Sequence, residues 1–239
     1  MTRITIVGAT GKVGQEVVAL LDLSMIDEVA SAVVSAQSDS IGAAIGDASV
    51  CVPATSKSLG NGDVVIDFST PAGTINLLDE LADSDMPVVI ATTGFSAEQA
   101  QRLRDEGARR PILIGANFTL GFEAFASAAV NLSASIPGAD ITVGEIYNAK
   151  KKPVASGTTH RLRADIAKVV EDGKLVRQNI ERIGDTAGDN TVTLDLGCAK
   201  IELKLTVNSR QAYAAGSIQA ANWLTSKPNG VYAPSDLLD

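Results

Sequence analysis

The apolar positions of this chain follow two periods, and the period changes part way along. Ile4-Thr5-Ile6-Val7 is a short β-branched run of the kind seen in a parallel strand covered on both faces. Val13, Val17, Leu20 and Leu21 then recur on one helical stripe. The alternation repeats. Residues 29–34 predict a second strand, and 63–68 a third that runs into a helix opening at Pro71 and carrying Ile75, Leu77, Leu78 and Leu81. Residues 87–95 predict a fourth strand, followed by a polar helix capped by Ser96 with Gln99 as its partner, and 111–118 a fifth. Strand after helix after strand implies a parallel sheet with helices on both faces. Beyond a helix expected at 120–134, residues 141–147 alternate like a half-exposed strand. Ser156 opens a helix carrying Leu162, Ile166, Val169 and Val170. Strands at 176–183, 190–196 and 199–208 follow with no helix between them, which predicts a mixed or antiparallel sheet. A last helix spans Ser209 to Leu224, and a short tail closes the chain.

Between the first strand and the first helix, Gly8, Gly11 and Gly14 follow G-x-x-G-x-x-G. Glycines there let backbone N–H groups approach a phosphate, and the helix turns its positive end to the same spot. This reads as the pyrophosphate site of a dinucleotide-binding fold. The second strand ends in Val34-Ser35-Ala36-Gln37-Ser38, with no carboxylate for a ribose 2′-hydroxyl. That, with the hydroxyls of Ser35 and Ser38 and the ammonium of Lys12, favours NADPH over NADH. The loops at Gly8–Gly14, Phe68–Thr70, Ala91–Gly94 and Gly115–Phe118 all fall at the carboxyl edge of the sheet, where ligands of such sheets bind.

Composition narrows the classes. The 239 residues carry a net charge of −8, which disfavours nonspecific nucleic-acid binding or docking on an anionic membrane. No secretory signal and no apolar run of membrane-spanning length is evident, so the chain reads as cytoplasmic. Cys51 and Cys198 read as reduced, buried small side chains, and with one histidine in the chain no metal site is expected.

Outside the first half, the most chemically loaded stretch is Lys150-Lys151-Lys152 followed by Ser156-Gly157-Thr158. A helix N-terminus beside ammonium groups can hold a carboxylate, and a lysine there can give up a proton. A solvated lysine loop ahead of an ordinary hydroxyl cap is the other reading.

Taken in order, several segments resemble the dihydrodipicolinate reductases: Gly8 to Gly14, Asp67-Phe68-Ser69-Thr70-Pro71, Thr92-Thr93-Gly94, Ala116 to Gly121, Ser156-Gly157-Thr158, Ser209-Arg210, Ala214 to Ser217, and Trp223-Leu224 through Tyr232. The resemblance covers essentially the whole chain. It implies an α/β protein with a Rossmann-type dinucleotide-binding domain, 1–119 with 211–239, and a smaller α+β domain, 120–210, built on a mixed sheet that forms a homotetramer. It implies hydride transfer from a nicotinamide to the cyclic 4-hydroxy-tetrahydrodipicolinate intermediate of lysine and diaminopimelate synthesis. Gly8, Ala9, Thr10, Gly11, Lys12 and Val13 would then bind the pyrophosphate and adenosine side. Phe68, Thr70, Ala91, Thr92, Thr93, Gly115, Ala116, Asn117 and Phe118 would line the nicotinamide half. Lys151 falls on the proton-donating lysine, with Gly157 and Thr158 on the carboxylate-binding pair; Ser156 and Asn148 join them as substrate contacts.

The chain departs from the family where imidazoles are expected. The Glu-x-His-His stretch reads Glu145-Ile146-Tyr147-Asn148, and the histidine of Gly-x-His-Thr falls on Asn190. The only histidine, His160, lies outside those positions. Tyr147 is therefore expected to stand in for an imidazole, and Lys151 to have its pKa lowered by Lys150 and Lys152. A different imine substrate, or a nucleotide-binding subunit without turnover, is the alternative that the lost histidines suggest.

Overall fold

The computed structural model describes residues 1–171, 173–186 and 188–238. In chain order the strands and helices up to the first boundary are β1 (Thr2–Val7), α1 (Gly14–Asp22), β2 (Asp27–Val34), β3 (Ala44–Ile45), β4 (Ser49–Pro53), α2 (Ser56–Leu59), β5 (Val64–Asp67), α3 (Pro71–Glu80), β6 (Val88–Ile90), α4 (Ala97–Glu106) and β7 (Pro111–Ile114). Then come α5 (Phe122–Ser135), β8 (Asp140–Tyr147), α6 (Gly157–Ala167), β9 (Arg177–Arg182), β10 (Gly188–Asp195) and β11 (Lys200–Val207). The chain closes with α7 (Gln211–Leu224) and β12 (Gly230–Tyr232). These elements form two compact units, Met1–Leu120 with Arg210–Asp239, and Gly121–Ser209.

The first unit is built on a sheet of order β12-β7-β6-β5-β1-β2-β4-β3, parallel throughout except for the β3–β4 pair. Its strands point alternate side chains to opposite faces. Ile4, Ile6, Val64, Ile66, Val89 and Leu113 pack under α1 and α7. Val7, Val33, Val65, Val88, Ile90 and Ile112 pack with Leu77 and Leu78 of α3 and Leu103 of α4. The helix starts follow their residues. Thr70 accepts from the Gly73 N–H with Pro71 just inside, and Ser96 and Gln99 close a capping box.

The stretch between β2 and β5 and the closing tail hold elements that periodicity does not announce. β4 and β3 continue the sheet past β2, and β12 adds an edge beside β7. The three residues of β12 gain regular structure from a partner far away in sequence, Gly230 beside Pro111 and Tyr232 beside Leu113. The C-terminal helix α7 returns to the first unit and is seated by small residues. Ala214, Gly216, Ser217, Ala220 and Ala221 are all buried. A Cβ at Gly216 would lie 1.9 Å from the Phe118 carbonyl oxygen, and the Leu120 N–H bonds the Ala212 carbonyl at 2.9 Å.

The second unit is a four-stranded sheet of order β11-β10-β8-β9, with β9 parallel to β8 and the other pairs antiparallel, so it is mixed as expected. Ile141, Val143, Val192 and Leu194 form a core with Phe122, Ala126 and Ala129 of α5 and Leu162 and Ile166 of α6. Two expectations need correction. Helix α6 stops at Ala167, so Val169 is not part of its stripe and is exposed. Cys51 is buried, but Cys198, in the turn between β10 and β11, is exposed. Among the described residues no helix is long and apolar enough to cross a membrane.

The close seat of α7 predicts that Gly216→Ala costs about 3 kcal/mol, since backbone must move to admit the methyl. Urea unfolding should show a lower midpoint at unchanged m-value. An unchanged midpoint would mean that α7 does not depend on that approach.

Candidate active site

In the first unit the carboxyl ends of the strands present a rim of backbone and hydroxyl groups. Gly8, with φ of 78°, turns the chain out of β1. A Cβ there would meet the Phe68 carbonyl oxygen at 2.4 Å, and one at Gly14 would meet the Gly8 oxygen at 2.3 Å, so these two glycines let the turn fold on itself. The Gly8 and Ala9 N–H groups both donate to the Val33 carbonyl, at 3.0 and 3.2 Å, and Gly11 donates to Gly8 at 2.9 Å. This corrects the simplest reading of the motif, because those amides are spent within the fold. The N–H groups of Thr10, Lys12 and Val13 have no partner among the described residues, and Thr10, Gly11 and Lys12 are exposed. Unpartnered amides at the start of α1 are a set of donors that fits a pyrophosphate.

The other rim residues sort by burial. Ser35, Thr70, Thr93 and Ala116 are exposed, whereas Ala9, Thr92 and Gly115 are buried. Ser35 and Gln37 bond each other, side chain to side chain at 3.0 Å. Phe68 is half-buried against the core, and the Ala91 N–H pairs with the Asp67 carbonyl at 2.9 Å. Asn117 Oδ1 accepts from both the N–H and the hydroxyl of Thr119, at 2.9 and 2.7 Å, which fixes the loop after β7. The Phe118 ring belongs to the core under α1 and α7, so what it can offer a ligand is main chain rather than ring.

In the second unit Lys151 and Tyr147 meet. The Lys151 Nζ lies 3.4 Å from the centroid of the Tyr147 ring, a cation–π contact, with the Arg182 guanidinium carbon 5.7 Å from the same centroid. The ring has room because β10 opens with Gly188, where a Cβ would lie 2.4 Å from Tyr147 Cε1. The Tyr147 hydroxyl points to Asn190 Oδ1 at 3.5 Å, so the residues at two expected histidine positions face each other. Burial raises the Tyr147 pKa, with Asn190, Ser156 and Thr158 only partly offsetting it. The phenol therefore stays protonated and is no proton shuttle near neutrality. Burial lowers the Lys151 pKa, opposed by the Glu145 charge and aided by Arg182. The cause is this packing and not the flanking lysines, which corrects the sequence expectation.

Beneath them lies Glu145, 1% exposed, a residue that sequence reasoning left without a role. Its carboxylate accepts from the Ser156 N–H at 3.1 Å, from the hydroxyls of Ser156 and Thr159, and from Arg182 Nη2 at 2.6 Å. Burial pushes the Glu145 pKa up, but these donors outweigh it and leave the carboxyl below its ordinary value. Arg182, also missed, reaches on to the carbonyls of Lys152 at 2.9 Å and Val154 at 2.6 Å, tying down the loop that carries Lys151. The parity of β8 was the available signal. Ile141, Val143, Glu145 and Tyr147 share one face, so a lone acid sits in an inward position. Arg182 has no such signal.

Ser156 caps α6, accepting from the Thr159 N–H at 3.3 Å, and its hydroxyl is turned to Glu145. Asn148 donates to Asp185 and accepts from the Lys150 N–H at 2.8 Å, so both ends of its side chain brace the loop. Gly157 and Thr158 remain as the first residues of α6. His160 is an exposed residue one turn into that helix.

A parallel α/β sheet with unpartnered amides at a glycine turn, and in the second unit a partly buried lysine over a tyrosine ring, fit the class of nicotinamide-dependent oxidoreductases. Known proteins make the assignment specific. Residues 2–118 match the N-terminal part, and 119–238 the C-terminal part, of the dihydrodipicolinate reductase family. The chain is 33% identical over 258 residues to the 4-hydroxy-tetrahydrodipicolinate reductase of Sulfurimonas denitrificans, with 100% of each covered. It is 29% identical over 257 residues to that of a Sulfurovum species, covering 100% of this chain and 99% of the relative. The fold superposes, with a TM-score of 0.80 at 21% identity, on a dipicolinate-bound dihydrodipicolinate reductase from Paenisporosarcina sp. TG-14, covering 98% of this chain and 97% of the other. The chain belongs to the dihydrodipicolinate reductase family.

The Glu145 network makes an acid-stability prediction. A carboxyl held below its ordinary pKa adds stability that is complete above the unfolded value, 4.5 for glutamate, and is lost as pH falls through the folded value. Glu145→Gln should cost about 3 kcal/mol at neutral pH, because Arg182 is left buried without its partner. Denaturant unfolding at neutral and acid pH should show the gap between wild type and variant closing below that pH.

Proposed function

We propose that this protein reduces 4-hydroxy-tetrahydrodipicolinate, or a closely related cyclic imine dicarboxylate, with NADPH as the preferred hydride donor. The observation that carries this reading is the Lys151 ammonium, 3.4 Å over Tyr147 and fixed by the loop that Arg182 and Glu145 hold down. The dipicolinate bound by the Paenisporosarcina relative is a planar dicarboxylate of the size and charge this reading needs. When bound, the nicotinamide supplies the hydride. Thr10, Lys12 and Val13 amides would hold the pyrophosphate, with Ser35 and the Lys12 ammonium at the 2′-phosphate, and Phe68, Thr70, Ala91, Thr92, Thr93, Gly115, Ala116 and Asn117 at the nicotinamide half. Gly157 and Thr158 at the helix N-terminus would grip one substrate carboxylate. Lys151 would give the proton that completes the reduction. Tyr147 acts through its ring, which shields and orients the ammonium, rather than through its hydroxyl.

Steady-state oxidation of NADPH and NADH with the enzymatically generated substrate tests this. Lys151→Ala should lower kcat by about 10²–10³-fold, the usual contribution of a general acid, and Tyr147→Phe should retain most of it. Because Lys151 must be protonated, kcat should fall with rising pH, and do so below the ordinary lysine value of 10.5. Cofactor binding without turnover, unchanged by Lys151→Ala, would instead indicate a nucleotide-binding subunit. We also infer a homotetramer assembled through the sheet of the second unit, whose edge strand β11 alternates outward Lys200, Glu202 and Lys204 with inward Ile201 and Leu203. Sedimentation velocity giving a monomer at micromolar concentration would refute that assembly.

A further inference from the structure

Asp67 has no part in the chemistry above, yet it is fully buried at the end of β5. Its Oδ1 accepts from the Ser69 N–H at 2.9 Å. Its Oδ2 accepts from the Thr92 hydroxyl at 3.1 Å and from the Thr74 hydroxyl of α3. The Ser69 N–H also lies 3.1 Å from Thr92 Oγ1, closing a small ring of bonds. Among the described residues no cation pairs with this carboxylate. Burial accordingly raises its pKa despite the donors. An unpaired buried carboxylate is a costly way to end a strand. What it does that an apolar residue could not is accept at once from two loops and a helix.

Those loops are Phe68–Thr70 and Ala91–Thr93, both at the rim of the sheet. We propose that Asp67 is a positioning residue for the nicotinamide end of the cofactor: by binding Ser69 and Thr92 together it fixes the two loops in the one relative register that receives the ring. This rests on the reading above that these loops hold the nicotinamide. Among the described residues the glycine turn after β1 makes no hydrogen bond to the Asp67 carboxylate; it touches the first loop at the Phe68 carbonyl, which Asp67 does not bind, so the adenosine end of the cofactor should sense its loss less than the nicotinamide end does.

The test compares, by calorimetry, the affinity for NADPH with that for 2′,5′-ADP, which carries the adenosine end alone. For wild type the ratio measures what the nicotinamide end contributes. Asp67→Asn keeps the shape but not the two-sided acceptor, and should cut that ratio by roughly tenfold while 2′,5′-ADP binding is retained. Thr74→Val, which removes one donor from outside the rim, should move the ratio the same way by less, and carries the test if Asp67→Asn does not fold. Equal weakening of both ligands would show that Asp67 merely supports the fold, and no change in either would show that it positions nothing; both outcomes overturn the proposal. A wild-type ratio near one would instead sink the assignment of these loops to the nicotinamide, and this proposal with it.

Discussion

Each unit ties its loops together through one carboxylate buried near the end of a strand. Glu145 stands on β8 and Asp67 on β5, each under loops whose polar groups must find partners once water is gone. Glu145 is the stronger constraint, because it serves three tasks through four donors. It anchors the first residues of α6 through Ser156 and Thr159, it neutralises Arg182, and through Arg182 it fixes the lysine loop. Remove it and the helix tip, the arginine and the loop lose their common reference. The two carboxylates also show which effect wins when burial and donors compete. Hydroxyls and one amide do not outweigh burial at Asp67, whose pKa rises; at Glu145 the hydroxyls of Ser156 and Thr159, joined by Arg182 and the Ser156 amide, do, and its pKa falls.

Much of the first unit could be read from residue patterns because its determinants are local. Five of its parallel strands are short apolar runs, and two of its helices announce themselves with Pro71 behind Thr70 and with Ser96 three residues ahead of Gln99. The rest depends on pairing across long distances. Gly230-Val231-Tyr232 is too short and too plain to signal a strand, and becomes one because β7 offers it an edge. Ser49 to Pro53 likewise takes its structure from β2. The order of the sheet follows from such pairings, not from any segment's own propensity.

The candidate site divides in the same way. Lysine, glycine turn and helix cap are types of residue that declare their chemistry wherever they stand, and the resemblance to a family suggested which of them to weigh. Arg182 ends an edge strand whose first residues are exposed, so its sequence surroundings suggest a solvated charge. Only the fold turns it inward over Glu145. The glycine motif teaches the converse lesson. Its pattern promises amides that can approach a phosphate, but Gly8 and Ala9 spend theirs on Val33, and the donors of the turn left without a partner among the described residues are those of Thr10, Lys12 and Val13.

The replaced histidines acquire a physical sense from the contact between Tyr147 and Asn190. An imidazole pair at these positions would titrate near neutrality and could share a proton with substrate. A phenol raised by burial and an amide that does not titrate can do neither. With neither imidazole present, the proposed reaction draws its proton from Lys151. A lysine in that position works better as its pKa comes down toward working pH, and the same Tyr147 ring that replaced an imidazole supplies part of the burial that brings it down. In the proposed reaction, tyrosine at 147 and a lysine that carries the acid role are thus two sides of one change.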